Sequence, residues 1–302
     1  MTSPAQFPPA VLPGARVGVA ALSGPVRPER LARGVEGLRE LGFEPVLARN
    51  LLARDGLFAG ADDERLAAFH ELVADPTLAA IFFARGGHGL LRVLPDLDWE
   101  LIARRPRAYV GYSDLTPFLL GVVARLGWVA FHGPLVAGEL ERGILPEESR
   151  SLLAALAGEP LPAIPVGGWA TRGSVEGVLL GGCLSLLTAT LATPWAADLD
   201  DAILFWEDVN EPLYRIDRML THLRLSGTLA AVRGMAVGTL GAGRCYLPDG
   251  AAEEDWMRVL RDSGVRGPVA WGLPCGHGAP NLTLPLGRPA RLDATTEQLI
   301  LL

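Results

Sequence analysis

The chain contains no lysine: all 27 basic residues among its 302 are arginines. That absence excludes whole classes of chemistry. Without a lysine amine there is no Schiff base to pyridoxal phosphate or a carbonyl substrate, no Walker lysine for a nucleotide phosphate and no Ser-Lys hydrolytic dyad. Cysteine is scarce as well. Cys183, Cys245 and Cys275 are too few and too scattered for a disulfide framework or a zinc cage, which is the pattern of a reducing compartment, and each reads as a small apolar filler. Basic residues are outnumbered by 34 acidic ones, a net charge of −7, the wrong sign for a protein that lives on nucleic acid or anionic lipid. Long apolar runs are missing too: the stretch from Gly177 to Thr193 is broken by glycines and polar residues and stops short of the ~20 residues that span a bilayer. Met1 to Pro13 has no basic n-region and carries prolines where a signal peptide has an apolar run, so a cytoplasmic location is expected.

What is present is a globular core. With 49% hydrophobic and 20% charged residues the chain is not disordered, and at this length it buries roughly 75% of its unfolded surface without help from disulfides or a metal. The first half alternates short apolar runs with helical patterns. Arg16 to Leu22 reads as a strand; Pro28 then opens a helix with Leu31, Val35, Leu38 and Leu41 on one face. Phe43 to Ala48, Ala79 to Ala84 and Ala108 to Gly111 continue as strands, with a helix over Asp62 to Ala74. Apolar strands separated by helices imply a parallel sheet covered on both faces. Between Gly158 and Gly173 the chain turns rich in Pro and Gly, the best boundary. Strand signals then become frequent: Ser174 to Leu180, Ala202 to Trp206, Met235 to Leu240, Val269 to Leu273, Leu282 to Leu286 and Gln298 to Leu302. The expected fold is therefore α/β, with a doubly wound, mostly parallel N-terminal domain over residues 1–160. A β-richer, mixed α/β domain follows over 161–302, and the active site lies between the two.

Chemistry is concentrated at three strand ends, where open α/β sheets place their sites. Gly111-Tyr112-Ser113-Asp114 joins a strand to the helix Leu115 to Arg125; such a turn exposes a serine Oγ beside helix-start amides, although Ser113 or Asp114 could equally cap the helix. Arg85-Gly86-Gly87-His88-Gly89 brings backbone amides close to a ligand or forms a tight turn; a phosphate cradle lacks both the fingerprint spacing and a lysine. In Glu207-Asp208-Val209-Asn210-Glu211 the later acids suit a helix dipole, whereas Glu207 follows Leu204-Phe205-Trp206 directly and needs a hydrogen-bonding partner. His70 and His222 read as surface residues, while His88 and His132 read as turn residues. His277 sits in the loop after Val269 to Leu273, so Ser113, Glu207 and His277 supply nucleophile, orienting acid and base types in three such loops.

The chain from Val17 to Leu286 resembles a known family, the LD-carboxypeptidases, serine peptidases that include murein tetrapeptide LD-carboxypeptidases and microcin-immunity hydrolases. Besides the serine turn and the Arg85 to Gly89 loop, the resemblance rests on Asp98-Trp99, Gly133-Pro134, the run Gly177 to Gly182 and Thr193-Pro194-Trp195. It is completed by Leu204 to Glu211, Arg215 with Arg218, and Gly276-His277 leading to Thr283-Leu284-Pro285-Leu286-Gly287. It implies Ser113 as nucleophile, His277 as base and Glu207 as its orienting partner. An oxyanion hole would come from the amide of Asp114 and that of Gly86 or Gly87. It further implies a murein-derived peptide as substrate, no metal or cofactor, and a homodimer. Arg85, His88 and Cys183 fall at substrate-binding positions, with two departures: Cys183 stands where asparagine is usual and His88 where tyrosine is common. A peptide's terminal carboxylate needs a cation, which here must be arginine, expected to be buried. Two other readings stay open, a hydrolase of peptidyl or aminoacyl adenylates conferring toxin resistance, and a non-catalytic α/β ligand-binding protein.

Overall fold

The computed structural model describes residues 4–241, 246–248 and 250–302; Cys245 lies outside them. The first part of the chain runs β1 (Arg16–Ala20), α1 (Pro28–Glu40), β2 (Glu44–Leu47), α2 (Asp62–Ala74), β3 (Ala80–Phe83), α3 (Leu90–Val93) and α4 (Trp99–Ala103). It continues with β4 (Ala108–Gly111), α5 (Thr116–Gly121), β5 (Ala130–His132) and α6 (Pro146–Ala157). The second part runs β6 (Ile164–Pro165), β7 (Gly168–Thr171), β8 (Ser174–Cys183), α7 (Leu184–Ala189), β9 (Ala202–Glu207), α8 (Leu213–Leu225) and β10 (Gly234–Val237). It ends with α9 (Glu253–Arg261), β11 (Val269–Trp271), β12 (Leu284–Leu286), β13 (Pro289–Asp293) and β14 (Gln298–Leu301).

Two sheets result. The first has six strands in the order β12-β5-β4-β3-β1-β2, parallel from β5 to β2. Its edge strand β12 pairs antiparallel with β5, so the run Leu282 to Leu286, expected in the second unit, instead closes the first sheet. A short apolar strand has no face preference of its own, and sheet membership is settled by the neighbour it reaches. The second sheet has eight strands in the order β6-β14-β13-β8-β9-β10-β11-β7, with β8, β9, β10 and β11 parallel and the rest antiparallel. Among the described residues no helix is long and apolar enough to cross a membrane.

Both sheets bury their central strands completely, as parallel strands with covered faces do: every residue of β3, β4 and β9 is buried. His132, expected in a turn, is the last residue of β5 and is fully buried against Phe205, ring centres 5.0 Å apart. In α1 the proline at the first turn sets φ, and Leu31, Val35 and Leu38 face the core. Gly34 on the same helix lies flush on the turn Val136–Leu140: a Cβ there would come within 1.8 Å of the Val136 carbonyl oxygen.

That contact reverses the usual sign of a helical Gly→Ala change, which on propensity alone stabilises by about 1 kcal/mol. Gly34→Ala should instead destabilise, by about 1–3 kcal/mol as for other overpacked interiors, because backbone and not a flexible side chain must give way. The denaturant midpoint of the purified variant measures this, and an unchanged or raised midpoint would contradict it.

Candidate active site

Three strand ends of the two sheets are brought together by Ser113, Glu207 and His277. Ser113 follows β4 by two residues, Glu207 is the last residue of β9, and His277 lies in the loop that follows β11. Ser113 adopts φ +64°, a sparsely populated conformation for a residue with a side chain, between extended Tyr112 and the first helical turn. Its Oγ lies 3.1 Å from His277 Nε2, and His277 Nδ1 lies 2.5 Å from Glu207 Oε2. The same carboxylate oxygen accepts the backbone N–H of His277 at 3.1 Å, so ring and backbone of the histidine are held by one atom. A carboxylate at Nδ1 makes that nitrogen the donor and leaves Nε2 as the acceptor facing the serine hydroxyl.

The backbone leaves room for this arrangement. A Cβ at Gly86 would stand 2.8 Å from Ser113 Cβ and 3.4 Å from the Asp114 amide nitrogen, so the Arg85 to Gly89 loop can approach the serine this closely only with glycine at that position. At Gly276 a Cβ would fall within 2.7 Å of three side-chain atoms of Glu207. Asp114 fastens the two loops together: its buried carboxylate accepts the Leu90 N–H at 2.9 Å, at the end of the glycine loop. Thr116 does the same between the sheets, donating its hydroxyl to the Ser113 carbonyl at 2.8 Å and accepting the Cys183 N–H at 3.0 Å.

Electrostatics around His277 are one-sided. Burial alone would push its imidazole down, but the Glu207 carboxylate, helped by Asp208 and Glu139, outweighs burial and holds it above the ordinary histidine value. Burial, followed by the Glu207 charge, raises Asp208, whose side chain accepts the Ser185 and Val209 N–H groups at 2.8 Å each. His132 responds oppositely: burial first, then proximity to His277, lowers it to about 3, so it stays neutral.

Several residues that sequence reasoning passed over complete the setting. Tyr112 presents its ring edge-on to His277 at 4.8 Å and donates its hydroxyl to Glu139 at 2.9 Å, while Glu139 accepts the Leu135 N–H at 2.9 Å. Burial raises both the tyrosine and Glu139. The available signals were the position of Tyr112 next to Ser113 and a single acid in the apolar run Leu135 to Leu140. The histidine loop is fastened by Asn281, which accepts the Gly276 N–H at 2.8 Å, and by Thr239, which accepts that of Gly278 at 2.8 Å. Buried Glu148 of α6 accepts the Asn281 N–H at 2.7 Å and pairs with Arg142.

The remaining expected site residues fall differently. The Cys183 side chain is buried, 3.3 Å from Ser185 Oγ, and its thiol is raised well above its usual range by burial and by Glu207; only its backbone amide takes part in the site. His88 and Gly87 are exposed, His88 beside Phe58 at 5.8 Å. Arg85 is exposed, not buried, with its guanidinium donating to the Pro25 carbonyl at 2.6 Å. The arginines that are buried serve the scaffold instead. Arg107 donates to the carbonyls of Leu72, Val73 and Asp75, and Arg65 to those of Leu22 and Gly89 and to Asp62. Long guanidinium side chains satisfy several carbonyls at once, which lets them be buried without a ligand. Among the described residues no group of three or more His, Cys, Asp or Glu is placed to hold a metal.

A serine on a strand-to-helix turn, bonded to a histidine that is bonded in turn to a buried carboxylate, is the arrangement that serine hydrolases use. Comparison with known proteins agrees with that class. Residues 17–133 match the LD-carboxypeptidase N-terminal domain and residues 176–292 the LD-carboxypeptidase C-terminal domain. The chain is similar to a putative carboxypeptidase of Streptomyces coelicolor, 40% identical over 304 residues that cover 97% of this chain and 95% of the relative. It is also similar to a probable murein peptide carboxypeptidase of Bacillus subtilis, 32% identical over 306 residues, 97% of this chain and 93% of that one. A solved structure of a microcin C7 self-immunity protein with glutamyl sulfamoyl guanosine superposes with a TM-score of 0.87 at 25% identity, covering 98% of each chain. The chain belongs to the LD-carboxypeptidase family.

Two measurements follow from the electrostatics. A base held above the ordinary histidine value is protonated, and therefore lost, at a higher pH than usual. The rate at which a fluorophosphonate labels Ser113 should fall on acidification along a limb centred above about pH 6.5. A limb at or below that value would contradict the raised imidazole. Glu207→Gln should slow labelling by on the order of 10³–10⁴-fold, and Asp208→Asn or Glu211→Gln by less than about tenfold. Greater damage from Glu211→Gln would reassign the orienting carboxylate.

Proposed function

We propose that this protein is a serine-type LD-carboxypeptidase that removes a C-terminal D-amino acid from a murein-derived peptide, converting a tetrapeptide to a tripeptide and D-alanine. The observation that carries the reading is the unbroken contact from Ser113 Oγ through His277 to Glu207, with the Gly86 backbone flush against the serine. In this reading His277 Nε2 takes the Ser113 proton as Oγ attacks the scissile carbonyl. Glu207 stabilises the imidazolium, and the amides of Asp114 and Gly86 receive the developing oxyanion. His277 then returns the proton to the departing amine, which leaves as the free D-amino acid. A water, deprotonated by the same imidazole, hydrolyses the acyl-enzyme and restores the serine.

The likeness to the microcin self-immunity protein supports a second reading, hydrolysis of an aminoacyl adenylate-type compound. A nucleotide base is held by stacking on an exposed aromatic face. Trp195 packs on Trp99 with ring centres 5.6 Å apart, and the Arg125 guanidinium lies 3.9 Å over its ring, so this tryptophan is engaged within the protein. Trp206 is fully buried. These contacts, and similarity over nearly the whole length to a murein peptide carboxypeptidase, favour the peptide.

Ser113→Ala should fold normally and lose hydrolysis by on the order of 10⁴-fold or more. Near-normal turnover by the purified variant would end the serine mechanism. A tetrapeptide ending in D-alanine should be cleaved much faster than its C-terminal amide or its L-alanine epimer. Equal kcat/KM on acid and amide, or a strong preference for an adenylate analogue, would favour the second reading.

A further inference from the structure

The first sheet reverses its winding between β1 and β3: from β1 the chain moves outward to β2, and from β3 it moves the other way to β4 and β5. Ligands of open α/β sheets enter the crevice at the carboxyl ends of the strands at such a switch point. A cleft of about 450 Å³ lies at this place, walled by the segments after β1, β2 and β3. Its lining includes Arg27, Arg30, Arg54 and Arg85 and no acidic residue.

These charges are largely unspent. Arg30 is paired with Glu141, but Arg27, Arg54 and Arg85 have no carboxylate partner among the described residues. The thirteen-residue helix α1 begins at Pro28 on the cleft wall with no side-chain cap, so its positive end faces the same space. Arg85 joins the cleft to the chemistry: its chain neighbour Gly86 is the residue that packs on Ser113.

We propose that the Arg27, Arg54 and Arg85 cleft is the subsite that receives a carboxylate of the peptide substrate. The proposal rests on the peptidase reading above and deepens it. Guanidinium groups bind carboxylates through paired charge-assisted hydrogen bonds, and three without a carboxylate partner among the described residues form an anion site in a chain that has no lysine to offer. Because the carboxylate is bound alike before and during acyl transfer, the cleft contributes to KM and not to kcat.

The test uses Arg27→Gln, Arg54→Gln and the double variant of the full chain. Each single change should raise KM for the D-alanine-ended tetrapeptide about tenfold, with kcat and fluorophosphonate labelling within about twofold of wild type. Added salt should raise KM of the wild type more steeply than that of the double variant. An unchanged KM in the double variant overturns the proposal. If the wild type is labelled but cleaves no such peptide, the peptidase reading fails separately, and calorimetric titration with inorganic phosphate then decides the cleft. Binding at least tenfold weaker in the double variant upholds an anion site there; equal binding, or none to wild type, overturns it.

Discussion

The 3.1 Å contact between Ser113 Oγ and His277 Nε2 joins two sheets, and much of the structure serves to keep its ends in place. The serine belongs to the first sheet, the histidine and its carboxylate to the second, so a small relative shift of the two would break the chain of hydrogen bonds. Three bonds oppose such a shift. Thr116 clasps the end of β8, Glu148 of α6 holds the histidine loop through Asn281, and Ser151 of the same helix accepts the Thr283 N–H at 3.0 Å. Strand β12, a few residues beyond that loop, is inserted in the first sheet beside β5. The chain thus returns to the nucleophile's sheet immediately after delivering the histidine, which makes the site an integral part of the fold.

The second constraint is charge. Glu207 is fully buried and the residues around His277 include Asp208 and Glu139, a concentration of carboxyl groups that would be costly in an apolar interior. Each is provided with donors: the histidine ring and backbone for Glu207, backbone amides for Asp208, an amide and the Tyr112 hydroxyl for Glu139. Among the described residues Arg142 stands at the margin of this cluster, where it pairs with Glu148. The acids therefore act on the histidine, while Arg27, Arg54 and Arg85 line the cleft at the β1/β3 switch point.

Much of this was written in local pattern. The apolar strands of the first half, the helix starts at Pro28 and Asp62, and the placement of Ser113, Glu207 and His277 at strand ends follow from periodicity and turn chemistry that act over a few residues. The absence of lysine restricted the available chemistry before any fold was considered. The family motifs could be read in order along the chain because each belongs to a single turn or strand end.

What the tertiary structure alone decided are the relations between residues distant in sequence. The pairing of β12 with β5, the burial of His132 in a strand and the bond from Tyr112 to Glu139 all depend on which segments come to lie side by side. So does the fate of the cations: Arg65 and Arg107 turn inward to satisfy backbone carbonyls, while Arg85 stays exposed and lines the cleft. Nothing in the flanking residues distinguishes these roles, because an arginine's partners are supplied by whatever backbone the fold brings within reach of its long side chain. The sequence by itself therefore determined the kinds of groups available and the turns that present them. The tertiary packing determined which of those groups touch, since burial and pairing are properties of neighbours in space.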